Sequence, residues 1–487
     1  MDRRDFIKAT LSAGAAAVVC SSALTCSVGC RSGAEKNGKL TSRSKNLTKD
    51  YDLIVVGGGM AGVAAAVAAS RNGTRTLLIE SSSACGGMGS NGLVPSFTPF
   101  SYKGIEKPLI GGIGREILQK LQSIGGSNRA GWPFLDAEAV KFVCDEILTE
   151  SKVTVAYLTT VLKVKTRNRR LKSITVHDRS GIHELTADNF IDATGDAFIS
   201  SSAGVPTLNG DPEGRTQPGS CCIVISGIDA KRLPLLKQAS PVDGIISLTP
   251  LLREHTARYL AAGKLVNQGN FEYHIAGGNL DIDSGIARLN FGHFYDLGSC
   301  DPDKISKLLS DGRKYARKYV ECLKKNMPGM ENAVLTNTPS LPDIRESRRI
   351  VGRTTLPASA YWQGELHDDD IALYDYMVDV HAFDPAQQKK SLAANGYLKL
   401  LNNSIEKFYG IPFSIMLPEK FDNLAVAGRC VSAEQAMLGS LRVMPACMAM
   451  GQAAGTAAAM SRPLAKVNIK ALQKKLRADK VILSYPY

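Results

Sequence analysis

The sequence predicts an α/β protein in which a parallel sheet flanked by helices forms the first domain. Residues 52–56 are a short apolar run typical of a buried parallel strand, and a glycine-rich turn at residues 57–62 follows without a gap. Residues 63–70 are rich in alanine and predict a helix, and residues 74–80 are a second apolar run that ends in an acid. This order of strand, glycine turn, helix, strand and acid indicates a dinucleotide-binding unit of the Rossmann type.

The bulk composition is that of a globular protein large enough for two domains. The chain has 487 residues, of which 44% are hydrophobic and 22% are charged, and its formal net charge is +13. No basic run interleaved with aromatic residues follows the N-terminal segment, so we expect no nucleic-acid partner. The 11 cysteines include no CxxC pair and the 7 histidines show no HExxH spacing, so no metal site is predicted.

The N-terminal residues predict an export signal. Arg3 and Arg4 stand just before an apolar pair and a weakly apolar stretch at residues 9–24, which resembles a twin-arginine signal peptide. A membrane-spanning helix needs ~20 clearly apolar residues, so a span is not predicted here. We therefore expect residues 1–34 to be the signal peptide and residues 35–50 to be a flexible tether.

The location after export is either the periplasm or a membrane surface. Cys30 lies in a segment that loosely resembles a lipoprotein cleavage box, although the first position of that box departs from the usual leucine. Lipid attachment at Cys30 and simple cleavage nearby therefore both stay open.

The glycine turn has the residues that a pyrophosphate needs. Gly57 permits a tight turn, Gly59 lets the pyrophosphate approach the backbone, and Gly62 lets the helix pack closely on the strand. The first turn of the helix offers amide donors and the positive end of the helix dipole. Glu80 follows about 20 residues downstream and can accept hydrogen bonds from the ribose hydroxyls. The predicted pyrophosphate-binding residues are Gly57, Gly59, Met60, Ala61 and Gly62.

Three later segments favour FAD over NAD as the dinucleotide. The glycine-dense loop at residues 85–92 lets the backbone lie against a flat cofactor. Residues 190–196 are a strand that ends in Ala-Thr-Gly, and residues 423–429 are a late strand with a glycine turn. These two segments resemble the second and third FAD signatures of the glutathione-reductase-like flavoproteins. The residues that the loop and the resemblance assign to the cofactor are Gly87, Met88, Ala193, Gly195, Gly428 and Arg429.

Nearly all of the chain after the leader resembles an FAD-dependent oxidoreductase family that pairs an early Gly-Gly-Met loop with a late Arg-Val-Met-Pro helix start. The matching segments are 52–94, 190–203, 214–218, 345–352 and 424–459. The resemblance implies non-covalently bound FAD. It also implies that Arg442 and Pro445 belong to the cofactor site, because the helix that starts there would direct its N-terminus at the flavin.

The family resemblance implies a discontinuous FAD-binding domain of the glutathione-reductase-like Rossmann type with an inserted α+β substrate domain. A small antiparallel sheet is expected around residues 153–174. The predicted limits are 51–204 for the first part of the FAD-binding domain, 205–410 for the substrate domain, 411–465 for the return to the first domain, and 466–487 for a C-terminal helix and tail.

An arginine-rich segment is the first candidate for substrate chemistry. As a helix, residues 345–349 would place Arg345 beside Arg348 or Arg349, where two guanidinium groups can hold an anionic or polar substrate. An ion-pair cluster around Glu346 is an alternative of equal weight. We predict Arg345 and Arg348 as substrate-positioning residues of the catalytic site.

His381 is the candidate general base. In an extended segment Asp379 and His381 share one face, and an Asp-x-His segment occurs in the same region of the family. The ordinary pKa of histidine lies near working pH, as proton transfer requires. His381 therefore completes the predicted catalytic set, with Asp379 holding its ring.

The leading functional hypothesis is an exported flavin dehydrogenase or reductase that transfers a hydride between a small organic substrate and flavin N5. Two alternatives stay open. One is reduction of an activated C=C bond, as in fumarate-reductase-like enzymes. The other is an electron-relay flavoprotein that passes electrons to a membrane acceptor and has no small-molecule substrate.

Replacement of Arg3 and Arg4 by lysine tests the export signal. The twin-arginine route reads the arginine pair and carries folded proteins, so we expect the double variant to stay in the cytoplasm with FAD bound. Cell fractionation combined with flavin absorbance makes the measurement. Normal export of the variant would refute the signal, and fatty-acid labelling decides whether Cys30 is lipidated.

Overall fold

The computed structural model describes residues 50–101, 108–234, 240–298, 300–384 and 408–485. The predicted signal peptide and residues 35–49 of the predicted tether lie outside the described residues. Within these described ranges, no helix is long and apolar enough to cross a membrane.

The secondary structure mixes strands and helices along the described chain. The strands are β1 (Tyr51–Val56), β2 (Thr76–Ile79), β3 (Thr154–Ala156), β4 (Thr160–Arg167), β5 (Arg170–Asp178), β6 (Gly181–Leu185), β7 (Ala187–Asp192), β8 (Thr207–Asn209), β9 (Ile223–Ser226), β10 (Ile245–Ser247), β11 (Phe271–Asp281), β12 (Ile286–Phe294), β13 (Val334–Asn337), β14 (Arg348–Ile350), β15 (Asp370–Tyr374), β16 (Tyr409–Pro412) and β17 (Leu424–Val426). The helices are α1 (Met60–Arg71), α2 (Gly112–Ser123), α3 (Ala137–Glu150), α4 (Phe198–Ser202), α5 (Thr249–Ala261), α6 (Pro302–Asn326), α7 (Ala358–Gln363), α8 (Gln435–Leu441), α9 (Met444–Met460) and α10 (Ile469–Ala478).

Five strands form a parallel sheet in the order β17-β7-β1-β2-β3. The central strand β1 is buried along its whole length, with Val55 opposite Leu78 of β2 and Ile191 of β7. Burial on both faces explains why the apolar run of β1 lacks polar alternation. The two strands and the helix predicted in residues 52–80 are confirmed, and β17 brings the late part of the chain back to this sheet.

Helices α1 and α9 pack against each other through small residues. A Cβ atom at Gly451 would lie 2.0 Å from the carbonyl oxygen of Ala61, and one at Gly455 would lie 2.0 Å from that of Ala65. The two glycines therefore allow the helix backbones to approach each other. Because α9 is buried on all sides from Pro445 to Ala458, its sequence is apolar all round rather than striped.

The small antiparallel sheet expected around residues 153–174 is present. Strands β4, β5 and β6 form it, and the last of them ends at Leu185, just before β7. The chain thus inserts a three-stranded sheet between two strands of the parallel sheet.

A second five-stranded sheet is antiparallel, with the order β10-β11-β12-β9-β13. It has a separate cluster of buried apolar side chains, which includes Phe271, Phe291 and, from α6, Tyr319. This sheet falls inside the predicted substrate domain at residues 205–410. The domain limits themselves stay predictions.

Residues 345–349 do not form the predicted helix. Residues 348–350 are the strand β14, in which Arg348 pairs with Asn209 of β8. Just before the strand, Ser347 Oγ donates a hydrogen bond to Asp196 Oδ1 at 2.6 Å. The helix prediction is wrong because partners far away in the chain determine the backbone here, and local arginine spacing does not reveal them.

A methyl group added at Gly455 tests the contact between α1 and α9. It would overlap the Ala65 carbonyl, so we expect Gly455→Ala to lower the free energy of unfolding by about 1–3 kcal/mol. Gly131→Ala is the matched control, because a Cβ atom at Gly131 meets nothing within 4 Å. Chemical denaturation of both variants gives the comparison, and equal stability would contradict the proposed overlap.

Candidate active site

A cleft of about 520 Å³ opens at the carboxyl ends of the strands of the parallel sheet. Gly57 follows β1, Glu80 follows β2, Ala193 follows β7 and Ala427 follows β17, and all four line the cleft. Ligands of open α/β sheets bind at this edge. The predicted cofactor residues that line it are Gly57, Gly59, Met60, Ala61, Glu80, Gly87, Met88, Ala193, Gly195, Gly428, Arg429 and Arg442.

Two predicted cofactor residues, Gly62 and Pro445, lie behind the cleft lining. A Cβ atom at Gly62 would lie 1.8 Å from the carbonyl oxygen of Gly57, so Gly62 allows α1 to pack against the turn. Pro445 is buried near the start of α9, where Met444 and Cys447 line the cleft instead. Both residues therefore shape the cleft without lining it.

Gly59 leaves open space where a ligand can meet the backbone. Its φ of −65° and ψ of 175° suit any residue, and an added Cβ atom would meet no protein atom within 4 Å. The fold itself does not need glycine at this position. Gly57 differs, because its φ is +103° and an added Cβ atom would lie 2.4 Å from the carbonyl oxygen of Ala193.

The Glu80 carboxylate connects the end of β2 to the glycine turn. Oε2 accepts a hydrogen bond from the amide of Gly58 at 2.6 Å, and Oε1 accepts one from the amide of Ser82 at 2.7 Å. Oε1 also accepts from Ser81 Oγ at 3.4 Å, so the further lone pair that a ribose hydroxyl can use is on Oε2. The carboxylate is thus held in place for the role that the sequence predicts.

Arg429 joins three backbone segments at the rim of the cleft. Its Nε donates to the carbonyl oxygen of Gly195 at 2.8 Å, and its Nη2 forms an ion pair with Asp196 Oδ1 at 2.6 Å. Its Nη1 donates to the carbonyl oxygen of Ile344. Arg429 therefore fixes the turn after β17 to the turn after β7.

His381 lies in a polar group of side chains next to the cleft. Its Nε2 is 3.4 Å from Asp379 Oδ1, so these two side chains share a face as expected. Arg442, which lines the cleft, donates through Nη2 to Asp379 Oδ2 at 3.2 Å and to its carbonyl oxygen at 3.1 Å. The backbone amide of His381 donates to Gln217 Oε1 at 3.0 Å. His381 is thus connected to the cleft through Asp379 and Arg442.

The two predicted arginines both line the cleft. Arg345 is only 2% exposed, and it donates through Nη1 to the carbonyl oxygen of Pro218 and through Nη2 to Ser220 Oγ at 2.9 Å. Arg348 donates through Nε to the carbonyl oxygen of Asp196 at 2.8 Å. Both guanidinium groups are held by neutral oxygen atoms at these contacts.

The alternative interpretation of the arginine segment also has support. Arg349 Nη1 lies 3.6 Å from Oε2 of the fully buried Glu346. The shorter bonds of Glu346 Oε1, however, come from the amide of Gln217 at 2.6 Å and from Gln435 Nε2 at 2.8 Å. The segment therefore contains a structural carboxylate at Glu346 and, beside it, the cleft-lining Arg345 and Arg348.

Sequence analysis missed two further histidines, which lie against His381. The ring centroid of His293 is 5.0 Å from that of His381 and 3.9 Å from that of His274, on which it stacks. We call His274, His293 and His381 the histidine cluster. No group of three or more His, Cys, Asp or Glu side chains in the described ranges is arranged to hold a metal ion, so the cluster is not a metal centre of that kind.

A sequence signal for the missed histidines was available. Glu272 and His274 alternate in β11, and His293 and Tyr295 alternate in and just after β12. A two-residue period places each pair on one face of its strand, and Glu272 lies directly opposite His293 in the sheet.

Burial keeps the histidine cluster neutral. Burial and the neighbouring His381 lower the pKa of His274 to about 3, and burial together with His274 lowers the pKa of His293 well below its usual range. Burial and the charge of Arg345 also lower the pKa of His381. For Asp379, burial acts to raise the pKa, but the nearby His381 and Arg442 outweigh it and lower the pKa.

The cleft fits an FAD molecule, since its glycine turn has space for a pyrophosphate at Gly59 and its Glu80 can bind a ribose. The sequence profile of the family described as FAD dependent oxidoreductase matches residues 52–476. This chain belongs to that family. FAD is therefore its cofactor and the protein is an enzyme, whereas the non-covalent attachment of the FAD stays a prediction.

Solved structures similar to this FAD dependent oxidoreductase are distant in sequence. A triple mutant of the flavin-dependent brominase Bmp2 is 14% identical, with a TM-score of 0.44, and the match covers 88% of this chain and 84% of that one. A geranylgeranyl bacteriochlorophyll reductase-like protein from Thermoplasma acidophilum is 11% identical, with a TM-score of 0.42 and coverage of 90% and 94%. The p-nitrophenol 4-monooxygenase PnpA from Pseudomonas putida is 11% identical, with a TM-score of 0.42 and coverage of 89% and 83%.

A bulky side chain at Gly59 tests the cofactor site of this FAD dependent oxidoreductase. We expect Gly59→Val to lose FAD, because its side chain would occupy the space of the pyrophosphate, and to keep the stability of the wild-type apoprotein, because no protein atom is displaced. Flavin absorbance per protein and thermal unfolding of both apoproteins make the measurement. Gly131→Val is the control and should keep its FAD. Normal FAD content in Gly59→Val would contradict the assigned site.

Proposed function

We propose that this enzyme transfers a hydride between a small polar organic substrate and N5 of the FAD. The bound FAD accepts or supplies the hydride together with its two electrons. The observation that carries the proposal is the hydrogen-bonded set of His381, Asp379 and Arg442 beside the cleft. When the hydride leaves a C–H bond next to a hydroxyl or amine, the O–H or N–H group loses its proton, and this set can take that proton.

His381 is the proposed proton acceptor. The contact of its Nε2 with the Asp379 carboxylate assigns the ring proton to Nε2, which leaves Nδ1 unprotonated in the neutral ring. Arg442 in turn holds Asp379 in place through two hydrogen bonds. The pKa of His381 is lowered by burial, so the ring is in the form that accepts a proton at neutral pH.

Arg345 and Arg348 are the proposed substrate-positioning residues. Arg345 is buried and donates to a carbonyl and a hydroxyl group, so its positive charge is available to attract an anionic or polar substrate. Arg348 lies on the same cleft and is only partly buried. The substrate would therefore approach the flavin from the side on which His381 and Arg442 lie.

Reduction of an activated C=C bond is the second candidate function. The observation that favours it is the set of arginines around the histidine cluster, because such groups can hold a carboxylate and supply a proton. An electron relay to a membrane acceptor needs no such polar set beside the flavin. Stopped-flow reduction of the enzyme by organic donors, and reoxidation by unsaturated acids, separate the three functions.

We also propose that the enzyme is exported by the twin-arginine route. Arg3, Arg4 and the weakly apolar stretch after them support this, and the route suits a protein that binds its cofactor before export. The periplasm is the destination of a cleaved chain, and a membrane surface is that of a chain lipidated at Cys30.

Replacement of His381 by alanine tests the proton-transfer role. We expect the rate of flavin reduction to fall by about 10²–10⁴-fold, because a positioned base contributes this much, while the FAD content stays unchanged. Stopped-flow absorbance with hydroxy acids, amines and sugars as electron donors makes the measurement. The exposed His177 of β5 provides the control variant His177→Ala, which should react as the wild type does. An unchanged rate in His381→Ala would refute the role.

The pH profile of the same reaction gives a second readout of His381. Because burial and Arg345 lower the pKa of His381, the ring gains its proton at a lower pH than an ordinary histidine does. The rate should therefore be lost at a lower pH than an ordinary histidine would give, and this acid limb should be absent from the residual rate of His381→Ala. The charged and titratable groups that face the ring are Arg345, Asp379, Arg442, His274 and His293.

A further inference from the structure

A row of three polar side chains leads from the second sheet to the histidine cluster. The hydroxyl of Tyr295 donates a hydrogen bond to Glu272 Oε2 at 2.6 Å, and the hydroxyl oxygen of Tyr295 lies 3.4 Å from His293 Nδ1. Glu272 and His293 are direct cross-strand neighbours in β11 and β12. Two of the three side chains therefore belong to the sheet, and Tyr295 follows directly after β12.

This row determines which nitrogen of His293 carries the proton. A tyrosine hydroxyl has one hydrogen, and Tyr295 donates it to a carboxylate, so toward His293 its oxygen accepts. The proton of the neutral imidazole must then be on Nδ1. Nε2 of His293 is left as an unprotonated hydrogen-bond acceptor.

The acceptor at His293 Nε2 is buried and has no partner within the described ranges of the chain. His293 itself is 0% exposed. A buried polar atom without a partner destabilises the fold, which makes such an atom rare. An atom of this kind next to a cofactor cleft is a candidate for contact with a bound molecule.

Two unpartnered donors accompany this acceptor. Gln217 Oε1 accepts from the amide of His381, so the side-chain amide is oriented with Nε2 as a donor, and this atom is buried without a partner among the described residues. Nε of Arg442 is likewise a buried donor without a partner among the described residues. Both residues are connected to His381: the side-chain oxygen of Gln217 accepts from the His381 backbone amide, and Arg442 bonds the carboxylate of Asp379.

We propose that these three atoms form the substrate subsite and that the substrate is a small carboxylic acid carrying a hydroxyl or amino group. The carboxylate accepts from Gln217 Nε2 and Arg442 Nε, and the hydroxyl or amino group donates to His293 Nε2. Two donors, one of them on a guanidinium, match an anionic acceptor better than a neutral one. The inference rests on the proposed function, because it specifies the substrate of that same site.

The local charges fit an anion of this kind. The carboxylate of Asp379 is already bonded to Arg442 and His381, and that of Glu272 to Tyr295. Glu346 accepts from the backbone amide of Gln217, and burial raises the pKa of its carboxyl group, which disfavours its negative charge. The side-chain bonds of Arg345 go to a carbonyl and a hydroxyl group, so its charge also favours a carboxylate. His381 contacts Gln217 through its backbone amide and His293 through its ring, so the hydroxyl can turn its one proton from His293 Nε2 to the His381 ring when that proton is lost.

Binding to the oxidised holoenzyme tests the subsite without turnover. The ligands are 2-hydroxy and 2-amino acids of three to six carbons, each compared with the unsubstituted acid and with the amide of the same acid. We expect at least one hydroxy or amino acid to perturb the flavin absorbance on binding. Its unsubstituted acid and its amide should each bind about 10-fold more weakly or worse, because each leaves a buried polar atom unpaired.

Three variants assign the ligand preference to individual side chains. His293→Phe should lose the preference for the hydroxyl or amino group while it keeps the preference for the carboxylate, and Gln217→Leu should do the reverse. Tyr295→Phe should also weaken the hydroxyl preference, because it frees the proton of His293 to move to Nε2, although Tyr295 would not touch the ligand. Flavin content and circular dichroism show whether each variant is folded.

The outcomes separate this inference from the proposed function. The inference is overturned if no compound of the panel binds to the wild type, if amides bind as well as acids, or if folded His293→Phe keeps the hydroxyl preference. If the variants fail to fold, the binding of these compounds to the wild-type enzyme tests the inference by itself. Rapid flavin reduction by neutral alcohols would preserve the proposed function and overturn the inference. Tight binding of hydroxy acids without flavin reduction would preserve the inferred subsite and overturn the proposed function.

Discussion

The close approach of α1 to the glycine turn on one side and to α9 on the other is the constraint on which the site depends. Gly62 brings α1 against the backbone of Gly57, and Gly451 and Gly455 bring α9 against α1. Because α9 is fixed in this way, Met444 and Cys447 in its first turn line the cleft. Arg442, just before that turn, reaches Asp379. One set of backbone contacts thus positions the cofactor cleft and the anchor of His381 together.

The two halves of the site use different chemistry. The cofactor half is made mostly of backbone and small residues, since a pyrophosphate is bound by amides and by space. The substrate half is made of side chains that are buried at a cost, among them the unpartnered nitrogens of Gln217, His293 and Arg442. A fold selected for stability alone would have replaced such groups by apolar ones, so their presence next to the cleft supports a binding role.

The sequence predicted the parts of the structure that depend on local patterns. The β1–turn–α1–β2 unit follows from glycine positions and a short period, and it is where the sequence placed it. The later residues of the cleft, such as Gly428 and Arg442, were assigned from the family resemblance, and they line the same cleft. The helix at residues 345–349 failed because Asp196 and Asn209 decide the conformation there. His274 and His293 were missed because their meeting depends on the register of β11 and β12, which is irregular near residues 272–277.

The substrate side of the site is assembled from chain segments that are far apart. Gln217 precedes β9, His293 lies on β12, His381 follows β15, and Arg442 precedes α9. None of them belongs to the glycine turn or to the strands that hold the cofactor, so a substitution in β11 or β12 can change substrate contacts while Gly59 and Glu80 stay in place. In the proposed subsite the carboxylate and the hydroxyl are recognised by different residues. Gln217, His293 and Arg442 would therefore select the polar end of the acid, and the residues beyond them would select its chain length.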